Sequence, residues 1–296
     1  MYNSIISVDE LVNLLAQDEV LVLDVRYNLF QPDAGRIAWR NAHIPGAHYL
    51  HLDKDLSGEI VPGVTGRHPL PNQDVFRTLM LAKGLQTDIQ VVVYDDNGGG
   101  IAARLWWMLH WIGYEAVAVL DGGWPAWMEG KKRPTESSLD KLVDRPNSPK
   151  NDLNVPFRKK IPPFTHNLPH LPTLDRQAVN DLRNDSSYCL VDSRTTARYR
   201  GEKEPIDPIA GHIPGAENLP WPENLTPTGC FKTKEELKSR FAHLNSEAAR
   251  TIFYCGSGVT ACHNILAYYY VYGKMPALYP GSWSDWITQP GCEIAT

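Results

Sequence analysis

Short apolar runs alternate with amphipathic stretches along the chain. Val20–Val25, Gln90–Tyr94 (QVVVY) and Thr251–Tyr254 (TIFY) are contiguous rather than alternating, the pattern of strands buried on both faces. Helix starts are written between them. Ser7-Val8-Asp9-Glu10 and Thr233-Lys234-Glu235-Glu236 each set a hydroxyl three residues before a glutamate, a capping box. The first opens a helix through Ala16. Asn72 can cap another, and Ile101–Ile112 and Val259–Tyr272 read as helices. Alternating helices and buried strands predict an α/β protein with parallel sheets flanked by helices.

The pattern occurs twice. HIPGA stands at His43–Ala47 and again at His212–Ala216. Each copy is preceded by a run ending in Asp-x-Arg (Asp24/Arg26, Asp192/Arg194) and followed by a strand ending in tyrosine (Tyr94, Tyr254). Each closes on a small-residue turn with two tryptophans: Trp124 and Trp127 in GGWPAW, Trp283 and Trp286 in GSWSDW. Four landmarks in one order, at nearly constant separation, indicate a tandem duplication. The domains are expected at 1–130 and 173–296. Residues 131–172 hold eight of the 23 prolines and read as an extended linker. Its Leu153, Phe157, Ile161 and Phe164 suggest that it lies across both domains.

Composition narrows the class. A chain of 296 residues, 43% hydrophobic and 21% charged, can bury two cores and is not disordered. A net charge of -5 argues against nucleic-acid binding. No apolar run is long enough for a membrane span, and the first residues lack a basic segment followed by an apolar one. Five cysteines without a CxxC pair argue against a disulfide framework or structural zinc. No metal-ligand spacing or dinucleotide fingerprint is evident, Gly98-Gly99-Gly100 being too short a signal. The expectation is a cytoplasmic protein with free thiols, no metal and no cofactor.

A duplication supplies its own control. The Asp-x-Arg pairs and the histidines His43 and His212 occur in both copies and read as structural salt links and turn residues. Where the first copy has Tyr94-Asp95-Asp96-Asn97-Gly98, the second has Tyr254-Cys255-Gly256-Ser257-Gly258. Cys255 thus belongs to one copy only, at the carboxyl end of a strand and just before a helix, where open α/β sheets place their sites. Gly256 and Gly258 let the loop curl so that successive N–H groups form an anion nest, continued through Val259 and Thr260. The helix terminus adds positive potential, and both effects favour a thiolate. Cys262 reads as a core residue, with redox pairing to Cys255 a minor alternative. Cys189, Cys230 and Cys292 form no pattern. Trp106, Trp107 and Trp111 read as packing.

Cys255-Gly-Ser-Gly-Val-Thr-Ala261, the HIPGA repeats and GSWSDW resemble the two-domain rhodanese-type sulfurtransferases over nearly the whole chain. Within them, the loop is similar to that of the 3-mercaptopyruvate sulfurtransferases. The resemblance implies a catalytically silent first domain, consistent with Asp95 in place of cysteine. It also implies that Cys255 accepts a sulfur atom as a persulfide and passes it to cyanide, a thiol or a thioredoxin-like dithiol. Asp53 and His68, in Arg67-His68-Pro69, match the aspartate and histidine that cooperate with the loop serine, here Ser257. His68 would shuttle a proton, Asp53 orient its ring and Ser257 relay to the donor. This requires the two domains to meet at the site. Arg198, with Phe30 at the matching position of the first copy, matches an arginine that grips the anionic donor.

Two departures bear on the donor. The second arginine usual some nine residues beyond the first is absent from Glu204-Pro-Ile-Asp207, where Arg67 is the candidate substitute. The basic residues that follow the cysteine in thiosulfate-preferring relatives are replaced by Gly256 and Ser257. Mercaptopyruvate is favoured, because Ser257, His68 and Asp53 are all present. Thiosulfate is the alternative donor. A phosphatase would need arginine at Ala261, and a persulfide carrier or scaffold is the non-catalytic rival.

Overall fold

The computed structural model describes residues 1–129, 133–137, 171–244 and 247–296. The first copy builds a five-stranded parallel sheet. Its strands are β1 (Ile5–Ile6), β2 (Val20–Asp24), β3 (His48–Tyr49), β4 (Gln90–Tyr94) and β5 (Val117–Leu120), in the order β1-β5-β4-β2-β3. The second copy builds a four-stranded parallel sheet from β6 (Cys189–Asp192), β7 (Glu217–Asn218), β8 (Thr251–Tyr254) and β9 (Ala277–Leu278), in the order β7-β6-β8-β9. A parallel bridge from Thr173 to Leu278 takes the place that β1 has beside β5, so the two orders correspond. The contiguous apolar runs became the central strands, with every residue of β4 and β8 buried.

Both capping boxes form. The Ser7 hydroxyl accepts from the N–H of Glu10 and caps helix Val8–Gln17, and Thr233 does the same for Lys234–Phe241. Asn72 caps Gln73–Ala82. The helix expected from Val259 begins at Ala261, because Gly258 to Thr260 make the turn out of the sheet. Linker residues Leu153, Phe157, Ile161 and Phe164 lie outside the described residues. Pro172 and Thr173, at the linker's end, run along β9.

The paired Asp-x-Arg units are internal struts. Arg26 and Arg194 each place Nη2 2.6 Å from the Oδ2 of Asp24 and Asp192, and all four side chains are buried. Their second bonds go to the carbonyls of Ala42 and Gly211, next to His43 and His212. The struts thus tie each HIPGA turn to its sheet.

Two equivalent helices, Ala102–Trp111 and Ala261–Tyr272, join the domains within one apolar cluster. Trp106 packs on Tyr269 with ring centroids 5.4 Å apart. Each helix also reaches the other domain's glycine loop. Arg104 Nη1 donates to the Gly258 carbonyl (3.0 Å), and His263 Nε2 donates to the Gly98 carbonyl (3.0 Å). Burial pushes the His263 imidazole down to about 4, so the ring is neutral and donates only through Nε2. These reciprocal bonds hold the two strand-to-helix loops beside the domain interface.

Candidate active site

β8 delivers Cys255 to its carboxyl end, where the chain leaves the sheet. The Cys255 N–H donates to Ser282 Oγ (3.1 Å), and the carbonyls of Cys255 and Gly256 accept from the N–H groups of Trp283 (3.0 Å) and Ser284 (2.8 Å). Ser282 lies at φ +56°, uncommon for a serine, and its hydroxyl holds it there by donating to the Tyr279 carbonyl. Gly258 lies at φ +74°, and a Cβ on it would fall 2.3 Å from the Pro280 carbonyl oxygen. Gly258→Ala is therefore expected to cost about 1–3 kcal/mol from strain, with the clash added, and to displace the loop. A lowered thermal unfolding midpoint with slowed Cys255 alkylation is the expected result; an unchanged midpoint would refute this account.

The first domain shows what such a loop holds. Asp95, the counterpart of Cys255, is buried with its carboxylate at the focus of four N–H groups. Asn97 and Gly99 donate to Oδ1 (2.9 Å each), and Ile101 and Ala102 donate to Oδ2 (2.8 and 2.9 Å). The first copy is an anion nest filled by its own side chain. In the second copy the N–H groups of Ser257 and Val259, counterparts of Asn97 and Gly99, have no protein acceptor among the described residues. Val259 and Thr260 form the turn into the helix.

A hydrogen-bonded line reaches this loop from the other domain. Ser257 Oγ lies 2.7 Å from His68 Nδ1, His68 Nε2 lies 3.2 Å from Asp53 Oδ1, and the Tyr27 hydroxyl donates to Asp53 Oδ2 at 2.7 Å. Burial pushes the His68 imidazole below its ordinary value, the Asp53 hydrogen bond opposing and the Arg67 and Arg104 charges assisting. The hydrogen bond from His68 holds the Asp53 carboxyl below the usual carboxylate range. The network therefore assigns a neutral ring that carries its proton on Nε2, donates to Asp53 and accepts from the Ser257 hydroxyl at Nδ1.

Two guanidiniums border the residue next to Cys255. A Cβ on Gly256 would lie 3.1 Å from Arg67 Nη2 and 3.4 Å from both Nη1 and Nη2 of Arg198. Arg198 is held by Glu204 through Nε (3.0 Å) and Nη2 (2.8 Å) and touches Asp207 at 3.1 Å; Arg67 Nη1 pairs with the other Asp207 oxygen. The residues expected at the site thus lie in or beside one loop at the domain boundary, except Asp53, which reaches it through His68.

Sequence reasoning missed several contributors. Arg104 is fully buried and donates to the carbonyls of Gly258 and His68 (3.2 Å), tying the cysteine loop to His68. A lone charge inside AARLWWMLHW was the available signal. Tyr27 and Ser282 carried none. Cys262 lies behind the loop, its thiol donating to the Gly258 carbonyl at 3.4 Å; burial pushes it up to about 12, so it is a core thiol. Among the described residues, no group of three or more His, Cys, Asp or Glu side chains could hold a metal ion, and no helix is long and apolar enough to cross a membrane.

Comparison with known proteins agrees with this geometry. The family model for the rhodanese-like domain matches residues 7–130 and 175–289. The chain is 41% identical over 297 residues to a Pseudomonas aeruginosa protein named "Probable 3-mercaptopyruvate sulfurtransferase", covering 99% of this chain and 98% of the relative. It is 33% identical to "Thiosulfate/3-mercaptopyruvate sulfurtransferase 2" of Arabidopsis thaliana, covering 98% of this chain and 86% of that protein. Among solved structures, the 3-mercaptopyruvate sulfurtransferase of Leishmania major superposes with a TM-score of 0.75 at 29% identity, covering 95% of this chain and 73% of the other. Duplicated sheets, one filled nest and one cysteine-bearing nest are explained together: the chain belongs to the rhodanese family, as a sulfurtransferase of two rhodanese-like domains.

Proposed function

We propose that the protein moves sulfur from 3-mercaptopyruvate through a Cys255 persulfide to a small thiophilic acceptor. The observation that carries this is the Asp53–His68–Ser257 line, which crosses the domain boundary and ends two residues from Cys255. Sulfur loading from mercaptopyruvate needs a proton moved. The Cys255 thiolate attacks the donor's sulfur, the carbon–sulfur bond breaks, and the electron pair leaves on carbon as the enolate of pyruvate. The proton of the donor's thiol must then reach that carbon. Ser257 and His68 are placed to carry it, with Asp53 fixing the ring. Arg67 Nη2 and Arg198 Nη1 face the loop and supply donors for the carboxylate.

The persulfide anion takes the place that the Asp95 carboxylate fills in the first domain, against the N–H groups of Ser257 and Val259. Cyanide, a thiol or a thioredoxin-like dithiol then removes the outer sulfur and regenerates the thiolate. The free state of all five cysteines supports a reducing, cytoplasmic setting.

Thiosulfate is the second reading, supported by the two donors named for the Arabidopsis relative. Its loading releases sulfite and needs no proton transfer, so it makes no demand on the relay. Purified protein given each donor without an acceptor, followed by mass spectrometry of the Cys255 peptide, separates the readings. One added sulfur, gained faster from mercaptopyruvate, is expected. Faster gain from thiosulfate reverses the donor, and no gain from either refutes sulfur transfer through Cys255.

A further inference from the structure

Asp207 offers one carboxylate oxygen to each of two guanidiniums, one from each domain. Oδ2 lies 3.1 Å from Arg198 Nη2, and Oδ1 pairs with Arg67 Nη1. Its side chain is only 3% exposed. Glu204 fixes this placement, accepting the N–H groups of Ile206 (3.0 Å) and Asp207 (3.1 Å) while it grips Arg198 from the other side. The charges of Arg67 and Arg198 are thereby matched by those of Glu204 and Asp207; Glu204 also meets Arg194 (3.3 Å), whose charge Asp192 matches. Near Gly256, Glu204 and Asp207 engage Arg198 Nη2 and leave Arg67 Nη2 and Arg198 Nη1 as terminal donors, enough for a single carboxylate. A second negative charge in that space would stand against Asp207, whose carboxylate already takes up the neighbouring charges of Arg67 and Arg198.

We infer that Asp207 is an internal counter-anion that sets the charge of the sulfur donor, admitting a monoanionic keto-acid and disfavouring a dianion. This rests on the reading of the Cys255 loop as the sulfur-donor site. Burial raises the Asp207 carboxyl, with Arg67 opposing and Glu204 assisting, as expected for a carboxylate confined between charges.

Two inert anions test the inference without requiring turnover. Pyruvate and sulfate are titrated for protection of Cys255 against iodoacetamide, a neutral reagent, in the natural protein, in Asp207→Asn and in Asp207→Ser. Half-protecting concentrations are read, so a change in the thiol's own reactivity does not enter. Removing one contact charge is worth about fivefold toward a monoanion and about the square of that, roughly 25-fold, toward a dianion. Both variants are therefore expected to be protected by about fivefold less pyruvate and about 25-fold less sulfate. Loss of a merely structural strut would weaken protection instead. Weaker or unchanged protection, equal gains for the two anions, or no protection in any form would each overturn the inference. Failure of the sulfur-donor reading shows separately, as absence of added sulfur on Cys255 in the unmodified protein.

Discussion

Cys255→Ser is expected to abolish sulfur loading and to lower turnover by about 10⁴-fold or more. A serine hydroxyl is nearly isosteric with the thiol, yet it does not ionise at neutral pH and forms no bond to sulfur that an acceptor can reopen. The backbone is held independently of the side chain, by Ser282 at the Cys255 N–H and by Trp283 at its carbonyl, so the loop should keep its shape. Intact-mass spectrometry after exposure to donor, with a thermal unfolding scan on the same sample, checks both halves. The expected outcome is no added sulfur with an unfolding midpoint close to that of the natural protein. Residual sulfur on Cys262 would overturn the single-nucleophile account. Burial opposes that result, since it keeps the Cys262 thiol protonated.

The parts legible in the sequence are those in which local chemistry and tertiary structure agree. TIFY and QVVVY are apolar at every position because both faces of a central parallel strand are covered, so the run reveals the strand directly. Ser7 and Thr233 meet their partners three residues away, and the pairing is visible in the chain itself. Cys255 stood out because the duplication supplied Asp95 for comparison. That comparison also had chemical content that the sequence hides. Asp95 is not a neutral relic but a buried carboxylate satisfied by four N–H groups, the same service that an anionic persulfide requires.

Illegible residues are those whose partners are distant in sequence. Arg104 looks like an anomaly in an apolar helix until the fold sets it between the carbonyls of His68 and Gly258. Asp207 was visible only as the absence of an arginine. Its pairing with Arg67, from the other domain, turns that absence into a positive feature of the site. Tyr27 acts on Asp53 through a hydroxyl that no local pattern distinguishes from any other tyrosine. The cysteine loop was thus readable by setting one copy's sequence against the other's, whereas the charges around it depend on how the two copies meet.

His68→Ala is expected to slow sulfur loading from mercaptopyruvate by about 10²–10⁴-fold and to leave loading from thiosulfate nearly unchanged. Both donors use the same thiolate and the same nest, but only mercaptopyruvate must pass a proton from sulfur to carbon. The pH dependence carries the same signature. Relay through Nδ1 requires the neutral ring, and burial lowers the pKa of His68. The neutral form therefore persists below the ordinary imidazole range, and the mercaptopyruvate reaction should lose rate only as pH falls through that depressed value. Asp53→Asn removes the hydrogen-bonding carboxylate that opposes the shift, so the acid limb should move to still lower pH while the maximal rate falls with the ring's orientation. The ratio of the two donors' single-turnover loading rates, measured across pH, cancels the ionisation of Cys255 and isolates the relay. A ratio that is flat with pH in the natural protein, or equal losses on both donors in His68→Ala, would remove His68 from proton transfer. Its bond to Ser257 would then serve only to hold the domains in register.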